Sequence, residues 1–197
     1  VPGINNYIID TVSENKRFIG YGTMHAFYEN KEEEFEKIRK AGLKGIKIHP
    51  DFQKINIDDK KMDDIYELAS DDMPILFHIG DKERDFSNPE RLLRVIKRFP
   101  KLKPIAAHMG GYRKWNESAD MFKGREVWFD TCSSFTYLTD ENIKAIINSQ
   151  GIDKILFATD YPMWSATKEI ETLLSLNLSE QDYKLIFSEN AKKVYKL

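Results

Sequence analysis

The feature of this sequence that most constrains its fold is a set of short apolar runs without polar alternation. The stretch Ile155–Pro162 reads Ile-Leu-Phe-Ala-Thr-Asp-Tyr-Pro, and its final proline cannot donate a hydrogen bond to a strand ladder. Such a run is typical of a strand that is buried on both faces, as in a parallel sheet. Similar runs predict strands at Phe18–Ala26, Gly45–Pro50, Pro74–Gly80, Pro104–Gly111 and Val127–Cys132.

Segments with helical spacing separate these runs. Lys31–Ala41 places apolar residues among charged ones and stops at Gly42, and Asn88–Phe99 opens with an N-cap residue followed by proline. The same spacing predicts helices at Asn5–Asn15, Asp58–Ser70, Arg113–Phe122, Asp140–Asn148, Thr167–Leu176 and within Ser179–Leu197, where Ser179 is the expected N-cap. Because strands and helices alternate, we expect an α/β fold with a parallel sheet.

The length of the chain bounds the architecture. Its 197 residues suffice for one sizeable core, so we expect a single domain over residues 1–197. A TIM (β/α)8-type barrel usually takes about 250 residues. The sequence supplies about six strand–helix units and begins at Val1 rather than at a methionine. We therefore expect a TIM-type barrel that is incomplete at its N-terminus.

Charge and composition exclude several classes of partner. The net charge is −2 and no basic face is evident, so we expect no nucleic acid partner. No apolar run approaches the roughly 20 residues of a membrane span, so we expect no membrane partner. Cys132 is the only cysteine, which favours a reducing, cytoplasmic setting. With no base beside it in the sequence, we expect Cys132 to be a strand residue rather than a nucleophile.

All four histidines fall at or near the C-terminal ends of predicted strands. They are His25, His49, His78 and His108, and Asp160 ends another strand. In a parallel barrel these ends converge on one mouth, where imidazoles and a carboxylate suit one divalent ion, most of all Zn²⁺. A catalytic zinc lowers the pKa of its bound water to about 7. Taken alone, Asp160 fits equally well as the N-cap of the following helix.

Several of these stretches together resemble a known family. Gly45–Pro50, Leu76–Gly80, Ala106–Gly111 and Phe157–Pro162, with the ending Ser188–Ala191, are similar to the amidohydrolase-2 branch of the metal-dependent amidohydrolase superfamily. That branch contains enzymes like aminocarboxymuconate semialdehyde decarboxylase beside lactone and amide hydrolases. No single motif is diagnostic, but the ordered set spans nearly the whole chain.

The resemblance implies roles for three residues. His78 would be a metal ligand at the end of the family's fifth strand. His108, ending the sixth strand, would polarise the substrate or transfer a proton. Asp160, ending the eighth strand, would bind the metal and act as general base toward the bound water. The family's other two ligands form a pair on the first strand, and no such pair occurs in this sequence.

Four further residues are candidates for substrate binding. Lys47 and His49 alternate onto one face of their strand, so His49 is expected to line the pocket. Arg84 and Arg113 follow site strands in loops, from which a guanidinium can bind a carboxylate bidentately. Trp164 follows Asp160 and is a candidate for an aromatic wall. Superfamily analogy also leaves open a modified Lys47 as a bridging metal ligand.

These expectations define one leading function and its alternatives. We expect a metal-dependent hydrolase that uses metal-activated water on a small, carboxylated organic substrate. The alternatives are a non-oxidative decarboxylase on the same scaffold, or an inactive barrel fragment or binding relative that lacks the first-strand ligands. Unpaired strand edges would then favour a homo-oligomer. A metal-dependent deoxyribonuclease on a similar barrel is a weaker reading, because no basic groove is evident.

Overall fold

One parallel sheet organises the chain. The computed structural model describes residues 1–70 and 72–197. Six strands lie side by side in sequence order, and each pairs in parallel with the next. They are β1 (Tyr21–Thr23), β2 (Gly45–Ile48), β3 (Ile75–Phe77), β4 (Pro104–Ala106), β5 (Trp128–Asp130) and β6 (Ile155–Leu156). The expected parallel α/β architecture of about six units is thereby confirmed.

Helices connect the strands. They are α1 (Pro2–Glu14), α2 (Lys31–Lys40), α3 (Pro50–Gln53), α4 (Asp63–Ala69), α5 (Pro89–Arg98), α6 (Trp115–Phe122), α7 (Asp140–Gln150), α8 (Ala166–Ser175), α9 (Glu180–Lys184) and α10 (Asn190–Tyr195). Short 3₁₀ turns occupy Lys60–Met62 and Ile152–Lys154, and a π-helical turn over Leu185–Glu189 joins α9 to α10. The sequence pattern did not predict α3.

Two of the helix starts confirm the sequence prediction, and a third corrects one. The Asn88 side chain accepts a hydrogen bond from the Glu90 amide at 3.0 Å, and Ser179 forms a capping box with Asp182. Asp160 is not an N-cap, because α8 begins at Ala166, preceded by Ser165. The Asp160 carboxylate is therefore available for other contacts.

The strands end earlier than the sequence predicts. Each observed strand is two to four residues long and lies inside a longer predicted one. The run at Ile155–Pro162 leaves the ladder after Leu156. His108 and Asp160 have φ values of 62° and 56°, in the left-handed region, which is incompatible with an extended strand. The polar residues thus stand in turns beyond the strand ends rather than within the strands.

The two faces of the sheet are covered differently. One face carries Phe77 and Phe129, which pack with the flanking helices in the main hydrophobic cluster. On the other face, Ile105 and Leu156 form a smaller cluster with Val194 of α10. Both faces are therefore buried, as the uninterrupted apolar runs indicate.

The outer edge of β1 is covered by a side chain of α1. The Thr23 amide donates to Asn5 Oδ1 at 2.7 Å, and Asn5 Nδ2 donates to the Thr23 carbonyl at 3.1 Å. Asn5 Nδ2 also donates to Glu34 Oε1 at 2.7 Å, and the Asn5 side chain is fully buried. Asn5 thus occupies the place of a neighbouring strand at Thr23. An assembly through unpaired edges stays a prediction.

Replacement of Asn5 by Ala should destabilise the protein by about 3 kcal/mol, because the Thr23 amide and carbonyl lose their side-chain partner and Glu34 keeps only its ion pair with Lys37 among the contacts described. Urea unfolding measures this difference. The matched control is Asn6→Ala, since Asn6 is exposed and its side chain accepts a hydrogen bond from Lys37 at the surface. We expect the control to change stability by less than about 0.5 kcal/mol. Equal effects of the two substitutions would contradict the role of Asn5.

Candidate metal centre and active site

Three of the four histidines converge at the C-terminal edge of the sheet. His49 follows β2, His78 follows β3 and His108 follows β4. The rings of His49 and His78 stack with centroids 3.8 Å apart, and His78 meets His108 edge-on at 4.7 Å. His25 lies by Phe27 instead, with ring centroids 5.6 Å apart.

A hydrogen-bonded chain links His78 to His108 and to the end of β5. His78 Nδ1 lies 2.8 Å from His108 Nε2, and His108 Nδ1 lies 3.1 Å from the Cys132 carbonyl oxygen. Cys132 Sγ is also 3.2 Å from His108 Nδ1. The His108 backbone amide donates to Asp130 Oδ1 at 2.9 Å, which fixes the turn that carries the ring.

Burial keeps these imidazoles neutral. It lowers the pKa of His78 to about 2, with the nearby rings of His108 and His49 adding to the effect. Burial also lowers the pKa of His49 to about 4, and the charge of Lys47 acts in the same direction. The pKa of His108 is lowered by burial, against the opposing charge of Asp130. Neutral imidazoles are the form that binds metal ions.

The neutral histidines predict a loss of stability in acid. An unfolded histidine has a pKa near 6.5, so below that pH the unfolded chain binds protons that the folded His78 does not. From pH 7.5 to pH 5 this should cost about 2 kcal/mol for His78 alone. The raised pKa of Asp51 opposes part of the loss.

Urea unfolding of metal-free protein at the two pH values measures this loss. The variant His78→Gln should lose about 2 kcal/mol less stability than the unsubstituted protein between the two pH values. Equal stability of the unsubstituted protein at both pH values would contradict the neutral state of the folded imidazoles.

Two groups of side chains offer ligand atoms to a metal ion. His49, Asp51 and His78 form the first group, and His108, Cys132 and Asp160 form the second. Within each group, one ligand atom from each residue lies within 4.8 Å of the others. These nitrogen, oxygen and sulfur donors fit a divalent transition-metal ion.

The resemblance assigns His78 and Asp160 to one ion. They fall into different groups, and their shared coordination stays a prediction. Asp160 is exposed and its Oδ2 accepts a hydrogen bond from Ser133 Oγ at 2.7 Å. Trp164 Nε1 donates to the same hydroxyl at 2.9 Å, so Trp164 helps to hold the Asp160 carboxylate.

Sequence reasoning missed two residues of these groups. Asp51 was not singled out, although it follows His49 by two positions in a His-Pro-Asp sequence. Cys132 was expected within a strand, but it lies just beyond β5 and is only 6% exposed. Cys132 contacts His108, which lies 24 positions away in the sequence. The residues around Cys132 therefore did not indicate that a histidine would lie beside it.

An aromatic wall adjoins the mouth. Its rings Tyr112, Trp115, Tyr137 and Trp164 stand edge-on or stacked at centroid distances between 5.7 and 6.2 Å. The Arg113 guanidinium lies 3.8 Å from the centre of the Tyr137 ring, an attractive cation–π geometry. Arg84 instead donates to the Asp51 backbone carbonyl at 3.3 Å. Arg113 is therefore the arginine beside the aromatic surface.

Lys47 adds a titratable group on the sheet face that leads to His49. Burial lowers the pKa of its ammonium, and the nearby Asp130, Cys132 and Asp160 oppose this shift. The Thr23 hydroxyl donates to the Lys47 carbonyl at 3.0 Å, which ties the strand to β1.

The parallel sheet, with imidazole and carboxylate donors beyond its strand ends, defines a barrel-type protein with a metal-binding mouth. The sequence matches the family model described as Amidohydrolase over residues 2–197. The chain belongs to this family, whose members are metal-dependent hydrolases and carboxy-lyases, and the resemblance seen in the sequence is confirmed.

Solved structures show the same fold. The chain is similar to 5-carboxyvanillate decarboxylase from Sphingomonas paucimobilis, with 17% identity, a TM-score of 0.76, and coverage of 98% of this chain and 71% of that one. It is also similar to dihydroxybenzoic acid decarboxylase from Polaromonas sp. JS666 with bound manganese, with 19% identity and a TM-score of 0.78. That match covers 98% of this chain and 74% of that one. An uncharacterized TIM-barrel protein from Bordetella bronchiseptica is also similar, with 21% identity and a TM-score of 0.83. The match covers 96% of this chain and 71% of that one.

No curated protein matches the sequence. Among the helices in the described part of the chain, none combines the length and the apolar character that a membrane crossing requires.

Proposed function

We propose that this chain is a metal-dependent carboxy-lyase that removes CO₂ from a small, hydroxylated aromatic carboxylate. The observation that carries this proposal is the neutral His78–His108 pair beside the aromatic wall, against which the Arg113 guanidinium lies. Aromatic side chains favour a ring-shaped substrate, and a guanidinium pairs with its anion. Solved structures of the same fold are decarboxylases of 5-carboxyvanillate and of dihydroxybenzoic acid.

The chain's own residues would share the chemistry as follows. His78 and Asp160 would hold a divalent ion at the mouth, as the family resemblance implies, and the ion would supply positive charge that stabilises an anionic substrate. His108 orients the substrate, because its ring is fixed by the Cys132 carbonyl. Arg113 binds the anionic edge of the substrate. The Asp160 carboxylate is exposed and would first take up a proton from solvent water. As the bond to the carboxylate breaks and CO₂ leaves, the electron pair of that bond would stay on the ring carbon, and Asp160 would pass its proton to that carbon.

Hydrolysis is the second candidate function. The observation that favours it is the exposed Asp160 carboxylate, which Ser133 holds at 2.7 Å in a place open to water. As a general base, Asp160 would take a proton from the attacking water. His49, Arg84 and Trp164 are proposed to line the substrate pocket in either reaction.

We propose Zn²⁺ as the ion, because imidazole nitrogens together with a carboxylate oxygen suit it. Manganese is bound in the Polaromonas enzyme, so it is the first metal to compare. The single free thiol also supports our proposal of a reducing, cytoplasmic setting.

A screen in deuterated water separates these functions. Protein loaded with zinc or manganese is incubated with dihydroxybenzoates and 5-carboxyvanillate, and with aryl esters and lactones. Decarboxylation releases CO₂ and leaves one deuterium on the former carboxylate carbon, as seen by mass spectrometry. Hydrolysis releases no CO₂ and yields an acid. A metal-loaded protein that converts neither class would favour the binding relative and overturn both enzymatic readings.

A further inference from the structure

The segment that follows β5 holds both of the turns that carry the candidate catalytic residues. Asp130 accepts from the His108 amide, as described above. The Thr131 hydroxyl donates to the Ala158 carbonyl at 2.9 Å and accepts from the Ala158 amide at 2.9 Å. These two bonds replace a strand ladder just beyond the last paired residues of β5 and β6. The Thr131 side chain therefore fixes the main chain that leads to Asp160.

The Ser133 hydroxyl has a single hydrogen, and its partners leave that hydrogen one direction. Trp164 Nε1 can only donate, so at 2.9 Å it uses a lone pair of Ser133 Oγ. The ionised Asp160 carboxylate can only accept, so the Ser133 hydrogen points at Oδ2, 2.7 Å away. The indole thus orients the hydroxyl, and the hydroxyl holds the carboxylate. This arrangement leaves Oδ1 of Asp160 for the ion or for the proton.

The main chain at both ends of this contact is unusual. Ser133 and Asp160 have φ values of 53° and 56°, in the left-handed region. Residues other than glycine keep such a conformation where the surrounding structure fixes it. Ser133 is 7% exposed, so little water competes for its hydroxyl. The Ser133–Asp160 bond therefore has a fixed and largely buried donor, although the Asp160 side chain itself is exposed.

The same indole belongs to the aromatic wall. The Trp164 and Tyr137 rings meet edge-on with centroids 6.0 Å apart, and Trp164 is only partly buried. A substrate ring that packs on the wall beside Tyr137 would contact the indole and restrain its rotation. A non-aromatic substrate would cover less of the indole. The wall and the Asp160 carboxylate are therefore connected through one hydroxyl group.

We propose that Trp164 and Ser133 are positioning residues through which a bound aromatic ring keeps Asp160 in its working orientation. The inference rests on the role that the proposed function gives to Asp160. It assigns Trp164 a task beyond lining the pocket, because its N–H group acts on turnover, whereas its ring, like that of Tyr137, acts on binding. The preference for an aromatic substrate then appears in kcat as well as in KM.

Steady-state kinetics on the substrate found in the screen separates these two tasks. Trp164→Phe keeps a ring in the wall but removes the donor, and Ser133→Gly removes the hydroxyl and accepts the left-handed main chain. Both should lower kcat about 10-fold, as loss of an outer partner of a site residue does, with KM changed by less than about 2-fold. Tyr137→Leu removes a ring and leaves the hydrogen bonds, so it should raise KM several-fold and change kcat by less than about 2-fold.

Cobalt binding gives a measurement that needs no substrate. Because Asp160 is an expected ligand, Ser133→Gly should weaken the binding of Co²⁺ to chelator-stripped protein about 10-fold in calorimetry, and Trp164→Phe should weaken it less. The matched control is Ser175→Gly, since the Ser175 side chain is exposed and donates to the Thr172 carbonyl. We expect the control to keep its Co²⁺ affinity and its kcat. Thermal unfolding checks that each variant is folded, and Trp164→Phe carries the test if Ser133→Gly is not.

The outcomes distinguish this inference from the proposed function. If Asp160→Asn weakens Co²⁺ binding and turnover while Ser133→Gly and Trp164→Phe match the unsubstituted protein, the positioning role is wrong and the proposed function stands. If Asp160→Asn changes neither, or if the unsubstituted protein neither binds Co²⁺ nor converts a substrate, both are wrong. A higher KM with unchanged kcat in Trp164→Phe would make Trp164 a wall residue only and overturn the coupling. If no substrate of the screen reacts, a loss of Co²⁺ affinity in both variants still supports the positioning role.

Discussion

Asp160→Asn is expected to lower the turnover rate of the proposed decarboxylation by at least about 100-fold. The substitution keeps the size of the side chain and removes the group that carries the proton, and such proton transfer contributes roughly 10²–10⁴-fold. The Ser133 hydroxyl, which donates to Asp160 Oδ2 at 2.7 Å, can donate to an amide oxygen as well. Folding should therefore be preserved. Initial rates of CO₂ release on the substrate found in the screen measure the effect.

The control for this prediction is Asp10→Asn. Asp10 is an exposed residue of α1, so the same chemical change there should leave the rate unchanged. Asp160 is also proposed as a metal ligand, so the metal content of the Asp160→Asn protein is measured by elemental analysis. A variant that keeps its metal but releases no CO₂ would separate proton transfer from metal binding. Full activity of that variant would show that another group carries the proton.

Gly80→Ala is expected to destabilise the protein by about 3 kcal/mol. Gly80 follows His78 by two positions and has a φ of +82°, where a side chain costs about 1 kcal/mol. A Cβ atom there would lie 2.6 Å from the Tyr112 backbone nitrogen, and a main-chain atom cannot rotate away. Overpacking of this kind adds about 1–3 kcal/mol. The Tyr112 amide donates to the Ile79 carbonyl at 2.8 Å, so the collision would also disturb the loop after β4.

Gly124→Ala separates strain from collision. Gly124 has a φ of +70°, but a Cβ atom there meets nothing within 4 Å. We expect this control to lose only about 1 kcal/mol. Urea unfolding of both variants gives the comparison. If Gly80→Ala costs no more than Gly124→Ala, the close approach of Gly80 to Tyr112 does not constrain the fold.

The sequence was sufficient to locate all six strands, because parallel strands buried on both faces leave uninterrupted apolar runs. It did not predict where the strands end. The turn at His108 depends on the Asp130 side chain and main chain, which accept from the His108 and Met109 amides. These partners lie about 20 residues away in the chain. A local pattern carries no information on such contacts.

The candidate site was predictable in part for the same reason. Histidines at strand ends are visible in a pattern, and three of the four do converge. Asp51 was missed because α3 has only four residues, too few to show a helical period. Cys132 was missed because its partner His108 belongs to another strand–turn unit. Burial, which makes Asp51 costly, is a property of the folded chain alone.

The left-handed backbone at the mouth has a consequence for mutational scanning of this protein. His108, Ser133 and Asp160 all have positive φ values, a conformation in which β-branched side chains are strongly disfavoured and Asn, Asp and His are enriched. A valine or isoleucine at any of these positions would report the strain of the peptide chain as much as the chemistry of the lost group. We expect the substitutions tolerated at these positions to depend first on how readily each residue type adopts a positive φ. Asparagine is the substitution that isolates the chemical role.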